Sequence, residues 1–288
     1  MVRIIKLFIL VLLLLNVVTP LQVKAMKSNK LAIHYLDVGQ SDCIFIEVIG
    51  GKNMLIDAGN NQSGPKIIEY LQRLGISKID FVVSTHPHHD HIGGLDEVIK
   101  SFKIGKFYTS NVTHDTASFY DVLKAVKKYK LSVHNVKKQK KIKLAADIKV
   151  DLIGPLIDSY GSINEQSIIV YLVHKEKSFL FMADAGIPAE KKLLIKKKKL
   201  KANVLKVGHH GADSASSNTF INKVKPDIAI ISVGKNNQYH YPSPSVLNIL
   251  QKNHVKVLRT DKLGTITALS NGKKIIWFTS KYGFIYPR

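Results

Sequence analysis

The stretch Thr85-His86-Pro87-His88-His89-Asp90-His91 places four histidines and an aspartate in six successive positions. It follows 79–84, an apolar run of strand length. A solvated loop has no physical reason to concentrate imidazoles in this way. In an extended segment His86 and His88, two apart, point to one side and can grip one cation through neutral ring nitrogens, while Asp90 and His91 turn toward a neighbouring position. The plain alternative is a surface histidine cluster with no metal or only adventitious metal.

Upstream of this stretch, short apolar runs at 31–36, 43–49 and 53–57, the last two separated by Gly50-Gly51, predict an antiparallel opening. Pro65 early and Gly75 late bracket a helix over 65–74. Downstream, Gly93-Gly94 lead into a helix from Leu95 to about Ser101. Phe119, Val122, Leu123, Val126 and Tyr129 recur at helical spacing over 118–130. Strands are expected at 148–153, 167–174 and 179–183, then a lysine-rich helix over 189–201. Strand 204–207, helix 217–224, strand 228–233 and helix 243–253 follow, with closing strands near 265–269 and 274–279. Strands with helices in both halves fit an α/β fold of four αββα layers, two mixed β-sheets packed face to face and flanked by helices. Two roughly similar halves are expected, and no change of composition marks a second domain.

Two further strand ends carry site chemistry. Phe181-Met182-Ala183-Asp184-Ala185-Gly186 ends in an acid that, taken alone, reads as a helix cap before Ile187-Pro188. Val207-Gly208-His209-His210-Gly211 brings a pair of imidazoles to the same edge, and spacing does not order them. Asp37, Gln40 and Asp42 form a polar turn. Asp57, ending a strand beside Gly59, reads either as support behind the site or as a turn residue.

On these residues the chain resembles the metallo-β-lactamase superfamily, whose first signature, H-x-H-x-D-H, is matched by His86, His88, Asp90 and His91. The resemblance implies that Asp184 bridges two metals. One of His209 and His210 would complete the second metal site, and the other would face substrate. Within the superfamily the chain is most similar to the metallo-β-lactamase domain of ComEC/Rec2 competence proteins and its stand-alone exported relatives. That similarity runs through 36–42, 55–59, 164–167, 184–186 and 209–211. It implies two divalent ions, Zn²⁺ or Mn²⁺, held by His86, His88, Asp90, His91, Asp184 and one of the metal candidates His209 and His210, with Asp90 and His210 carrying catalysis. Asn164, Ser167, His240 and Tyr241 are the expected substrate-binding residues. Three departures stand out: Ser41 replaces a usual glycine, 164–167 stands where other members carry a third histidine, and Tyr241 replaces the histidine of a glycine-histidine-proline stretch. The second leaves one metal a weak oxygen ligand or an open position.

The 288 residues carry 43 Lys and Arg against 21 Asp and Glu, a net charge of +22. That field favours polyanions such as DNA or a phosphate-containing envelope polymer, or it simply keeps an exported protein soluble. Lysines at 137, 138, 140, 141 and 143 and along 191–201 form either a phosphate track or a solvated face. Residues 1–25 read as an export signal: basic start, apolar run at 7–15, and Val23-Lys24-Ala25 for cleavage, with an uncleaved anchor as the alternative. A single domain over 26–288 is then released or held at the cell surface. No later segment resembles a membrane span, so no transmembrane channel is expected. The lone cysteine, Cys43, sits in an apolar run and excludes an internal disulfide.

The expected activity is metal-dependent hydrolysis, with a phosphodiester such as DNA leading and a cell-wall phosphate ester or other small ester as a second substrate class. A basic DNA- or envelope-binding protein with a structural or vestigial metal centre is the reading outside enzymology.

Overall fold

In the computed structural model, which describes residues 30–157, 162–197 and 200–285, β1 (Leu31–Tyr35), β2 (Ile44–Val48) and β3 (Asn53–Ile56) pair antiparallel as their patterning predicts. The export signal expected over 1–25 lies outside the described residues. β4 (Lys78–Ser84), β5 (Lys103–Thr109) and β6 (Val133–Asn135) continue this sheet in parallel. The second sheet opens with β7 (Gln139–Ala145), β8 (Ile148–Ile153), β9 (Ile169–His174) and β10 (Lys177–Phe181), all antiparallel. Parallel β11 (Val204–Lys206), β12 (Ile228–Ile231) and β13 (Lys256–Arg259) complete it. The chain then returns to the first sheet, where β14 (Ile266–Ser270) pairs with β1 and is followed by β15 (Ile275–Thr279) and β16 (Gly283–Ile285). The halves are therefore unequal: nine strands in the order β16-β15-β14-β1-β2-β3-β4-β5-β6 face seven in the order β13-β12-β11-β10-β9-β8-β7.

Three apolar layers hold the sheets and helices together. Ile33, Met54 and Val83 of the first sheet meet Val150, Phe179 and Ile230 of the second. Outside the first sheet lie α1 (Gly64–Arg73), α2 (His89–Ile92), α3 (Leu95–Ser101) and α4 (Ala117–Lys128), whose Leu71, Val98 and Val122 pack with Phe45 and Val82. Outside the second, α5 (Ile187–Lys196), α6 (Asn218–Val224) and α7 (Pro244–Lys252) bury Leu193, Phe220 and Leu250 with Leu180 and Leu205. A last turn, α8 (Thr260–Leu263), leads into β14. This is the four-layer α/β arrangement.

The lysine-rich helix ends at Lys196, short of the expected 201. Lys197 leaves helical dihedrals; its ammonium pairs with Asp151 at 2.9 Å and lies 5.2 Å from the Tyr171 ring centre. β5, β6, β7, β13 and β16 were not anticipated. No helix among the described residues is long and apolar enough to cross a membrane.

Behind the helix layer, β1 buries His34 against Tyr70 and Thr267, its Nδ1 lying 2.9 and 3.2 Å from their hydroxyl oxygens. Burial pulls its pKa from 6.5 down to about 4. Between those values the unfolded chain is protonated at this position and the folded chain is not, so stability falls as pH drops from 6.5 toward 4. His34→Phe is expected to remove about 3 kcal/mol of that loss by pH 4. Urea unfolding of both proteins in chelator at pH 7 and pH 4 measures it, and parallel losses in the two proteins would refute it.

Candidate metal centre

The site lies where strands of both sheets end at one rim of the sandwich, the place where open sheets with parallel strands offer loops to ligands. β4 runs into Thr85-His86 and α2, β10 into Asp184, and β11 into a short 3-10 turn over Gly208–Gly211. In that turn His209 and His210 both adopt left-handed dihedrals, with φ of 48° and 54°. Side chains other than glycine rarely hold this conformation, and strain of this kind concentrates at functional loops. Gly211 follows at φ 86°, where an added Cβ would stand 2.6 Å from Pro242 Cβ.

Two donor groups converge on Asp184. In one, Asp90, His91, Asp184 and His210 bring ligand atoms within 4.8 Å of one another; in the other, His86, His88 and Asp184 do so. Asp184 Oδ1 is 3.2 Å from His91 Nε2 and 3.7 Å from His210 Nε2. Its Oδ2 is 3.9 Å from His86 Nε2. Asp90 Oδ2 approaches His210 Nε2 at 3.3 Å, and His86 Nε2 lies 3.1 Å from His88 Nδ1.

Hydrogen bonds behind the rings fix which nitrogen faces inward. His91 Nδ1 donates to Asp57 Oδ2 at 2.8 Å, and Asp57 also accepts from the Thr85 amide and hydroxyl at 2.8 and 2.7 Å. His210 Nδ1 donates to the Ser232 carbonyl at 2.9 Å. Both rings therefore turn Nε2 toward Asp184, an arrangement of carboxylate or carbonyl behind imidazole that metal ligands commonly show. His91 Nε2, His210 Nε2 and Asp184 Oδ1 are buried without a hydrogen-bond partner. Buried polar atoms seldom go unpaired, and three that face one another fit a shared cation.

Burial alone would lower the His91 and His210 pKa values. The surrounding carboxylates together outweigh it, Asp184 and Asp57 at His91 and Asp184, Asp42 and Asp90 at His210, so both are raised. At Asp184 burial pushes upward, but His91 and His210 hold the carboxyl well below its ordinary range. Burial depresses His86, His88 and His209, and at His86 and His88 this keeps the imidazoles neutral, as ligation requires.

The remaining expected residues are distributed unevenly. His209 also approaches Asp184, its Nε2 3.7 Å from Asp184 Oδ2, but it falls in neither donor group; Asn164 Nδ2 lies 3.3 Å from the same nitrogen, and the ring centre is 5.7 Å from that of Tyr241. Tyr239 stacks on Tyr241. Ser167 is buried behind His86, donating to the Asn164 carbonyl at 2.7 Å with its oxygen 3.3 Å from His86 Nδ1. The His240 side chain is exposed and belongs to neither donor group.

Lys206 escaped the sequence reading. Fully buried on β11, its ammonium donates to Asp42 Oδ2 at 2.7 Å and to the Val207 carbonyl at 3.0 Å. Asp42 Oδ1 stands 3.6 Å from His210 Nδ1, and the Asp42 amide donates to the Asp90 carbonyl at 3.1 Å. A lysine inside Val204-Leu205-Lys206-Val207 was the available signal. Glu190, also buried, accepts from the Ser216 amide and from the Ser217 amide and hydroxyl, bracing the loop after His210. His114 touches the first metal loop, with Nδ1 3.3 Å from the Pro87 carbonyl.

The family model described as the metallo-beta-lactamase superfamily matches residues 36–235, and the chain belongs to that superfamily. Its curated relatives include competence-related proteins of the ComEC/Rec2-like kind. ComE operon protein 3 of Bacillus subtilis (strain 168) is 29% identical over 256 residues, covering 83% of this chain and 33% of that protein. Recombination protein 2 of Haemophilus influenzae is 27% identical over 261 residues, covering 86% of this chain and 30% of the relative. The chain thus spans about a third of the length of these relatives. Among solved structures, CmlA, a diiron beta-hydroxylase from Streptomyces venezuelae, superposes with a TM-score of 0.57 at 14% identity over 84% of this chain and 54% of its own. Zn²⁺-bound PqqB from Methylobacterium extorquens gives 0.50 at 12%, over 76% and 85%. These two likenesses establish the shared fold.

Asp57→Ala frees the His91 ring to rotate and is expected to weaken metal binding at the Asp90 group about 10- to 100-fold. Isothermal titration with Zn²⁺ reads this directly, and an unchanged affinity would show that His91 is oriented by other contacts.

Proposed function

We propose that the protein is an exported metal-dependent phosphodiesterase acting on nucleic acid. The observation that carries the catalytic part is the convergence of two donor groups on Asp184, with His91 Nε2, His210 Nε2 and Asp184 Oδ1 buried and unpartnered between them. His86, His88 and Asp184 would hold one ion; Asp90, His91, Asp184 and His210 would hold the other. Imidazole and carboxylate donors suit Zn²⁺ or Mn²⁺. Such a pair supplies an activated water near neutral pH and neutralises charge on the attacked and leaving oxygens. Asp90 and His210 contribute from within the second donor group, their positions set by Asp42 and Ser232. His209 stands at the mouth with a quarter of its side chain exposed, placed to hydrogen-bond a phosphoryl oxygen. Asn164 fixes the His209 ring, and Tyr241 walls the same opening.

A net charge of +22 and relatives named for competence and recombination support nucleic acid as the substrate. The apolar start of the sequence supports export. The test is incubation of the protein with Mn²⁺ or Zn²⁺, and with chelator, against single-stranded DNA, duplex DNA and bis(p-nitrophenyl) phosphate. Metal-dependent cleavage is expected. Failure on all three together with turnover of a lactone or thioester would move the substrate to small esters. Binding of DNA without hydrolysis at any metal supplementation would leave a basic binding protein.

A further inference from the structure

We infer that the open edge of the sandwich between β6 and β7 is a track for single-stranded nucleic acid, delivering it to the loop that carries His86 and His88. The inference rests on the phosphodiesterase reading and assigns that substrate a surface. Residues 100–150 hold 13 lysines against three aspartates, Asp115, Asp121 and Asp147, and no glutamate. This one stretch therefore concentrates the positive field that composition alone spreads over the chain. Lys137, Lys138 and Lys140 are exposed, and among the described residues none pairs with a carboxylate. Lys124 and Lys197, by contrast, do.

Strand register places these lysines at the catalytic rim. Ser84, the last residue before the metal loop, aligns with Thr109 on β5, which aligns with Asn135 on β6. Two strand spacings put Asn135 roughly 10 Å from the end of β4. On the other sheet, the Gly154 amide donates to the Lys138 carbonyl at 2.5 Å, and the adjoining Ile153 pairs with Ile169, two residues from Ser167. Lys137 and Lys138 thus bridge the site ends of both sheets.

Two clefts complete the surface. A groove of about 180 Å³ between α4 and β5–β6 reaches Pro87 of the metal loop and is lined by Phe119, Leu123 and Val133, with Asn111 and Asn135 on its walls. A polar cleft of about 310 Å³ shares Val133 and Asn135 with it and is lined by His134, Lys137, Gln139 and Lys140. Unpaired bases offer apolar faces to the first and edges to the two amides, while lysines beside the second hold the backbone. A duplex presents its phosphates but keeps its base faces stacked.

The test measures fluorescence anisotropy of a labelled single-stranded DNA oligonucleotide in chelator, so that binding is read without cleavage. Lys137→Glu/Lys138→Glu/Lys140→Glu is compared with Lys223→Glu/Lys225→Glu/Lys252→Glu, an equal charge change at the C-terminal ends of α6 and α7, both checked for native circular dichroism. Only the first is expected to weaken binding tenfold or more, with the slope of log affinity against log salt reduced by about 2. Its metal-dependent turnover of bis(p-nitrophenyl) phosphate should stay at the wild-type level. Equal loss in both triple variants, or no loss in the first, overturns the track. Preference for a glycerol-phosphate polymer or for duplex over the single strand overturns its occupant. If the wild-type protein cleaves no phosphodiester yet the first variant alone loses the oligonucleotide, the catalytic reading falls and the track stands.

Discussion

Asp184→Asn is expected to lower hydrolysis by about 10³-fold or more, equivalent to about 4 kcal/mol of barrier, and to reduce bound metal from two ions per chain to one or none. Both carboxylate oxygens are engaged in different directions, Oδ1 toward His91 and His210 and Oδ2 toward His86 and His209. An amide keeps the shape but presents one neutral oxygen and one NH₂ group, which cannot ligate on its donor side. The loss therefore falls on both donor groups at once. Asn164→Ala, which touches only the His86 and His209 side, should leave the Asp90 group's metal in place. Metal analysis after dialysis, alongside turnover of a simple phosphodiester, separates the two variants. Full metal content in Asp184→Asn would show that the groups bind independently and that Asp184 bridges nothing.

The largest effect on stability is expected at Lys206→Met. Removing the ammonium leaves Asp42 charged and buried, with His210 Nδ1 at 3.6 Å as the nearest remaining cationic group. Breaking a buried pair from one side costs about 3–5 kcal/mol, whereas replacing both charges with apolar side chains is often close to neutral. Lys206→Met should therefore unfold at markedly lower urea, and Lys206→Met/Asp42→Leu should recover most of the difference. Measurement in chelator keeps metal out of the comparison. A single variant within about 1 kcal/mol of wild type would mean that Asp42 finds water or another partner once the ammonium is gone. Because the Asp42 amide also holds the Asp90 carbonyl, the single variant should bind metal more weakly even where it remains folded.

The histidine loop, Asp184 and the His209-His210 pair were legible because their chemistry is dense and sits at the ends of apolar runs. Their order in space was not. His210 joins the Asp90 group because its Nδ1 meets the Ser232 carbonyl, a partner 22 positions away. Helix ends were read well where proline or a serine cap marked them, as at Ser243 and Pro244. β7 was missed although Ile142 and Leu144 alternate with lysines in the manner of a half-buried strand, because the lysines were read for their charge alone. β5 was missed for a related reason: Lys103, Gly105 and Lys106 dilute its apolar residues. Lys206 shows the deeper limit. A lysine between apolar neighbours signals an unusual position, but its partner, Asp42, lies 164 residues earlier and only the tertiary fold brings them together.

The antiparallel pairing of β1 with β14, Leu31 opposite Ser270, sets a timing problem for synthesis. Until the ribosome has delivered the last strands, β1 has β2 on one side and an unsatisfied backbone edge on the other, a template for pairing with another chain. Such a distant closure also slows folding, since the intervening chain must be gathered before the contact forms. Truncated chains that stop before β14 should therefore aggregate even though every metal-binding residue is present in them.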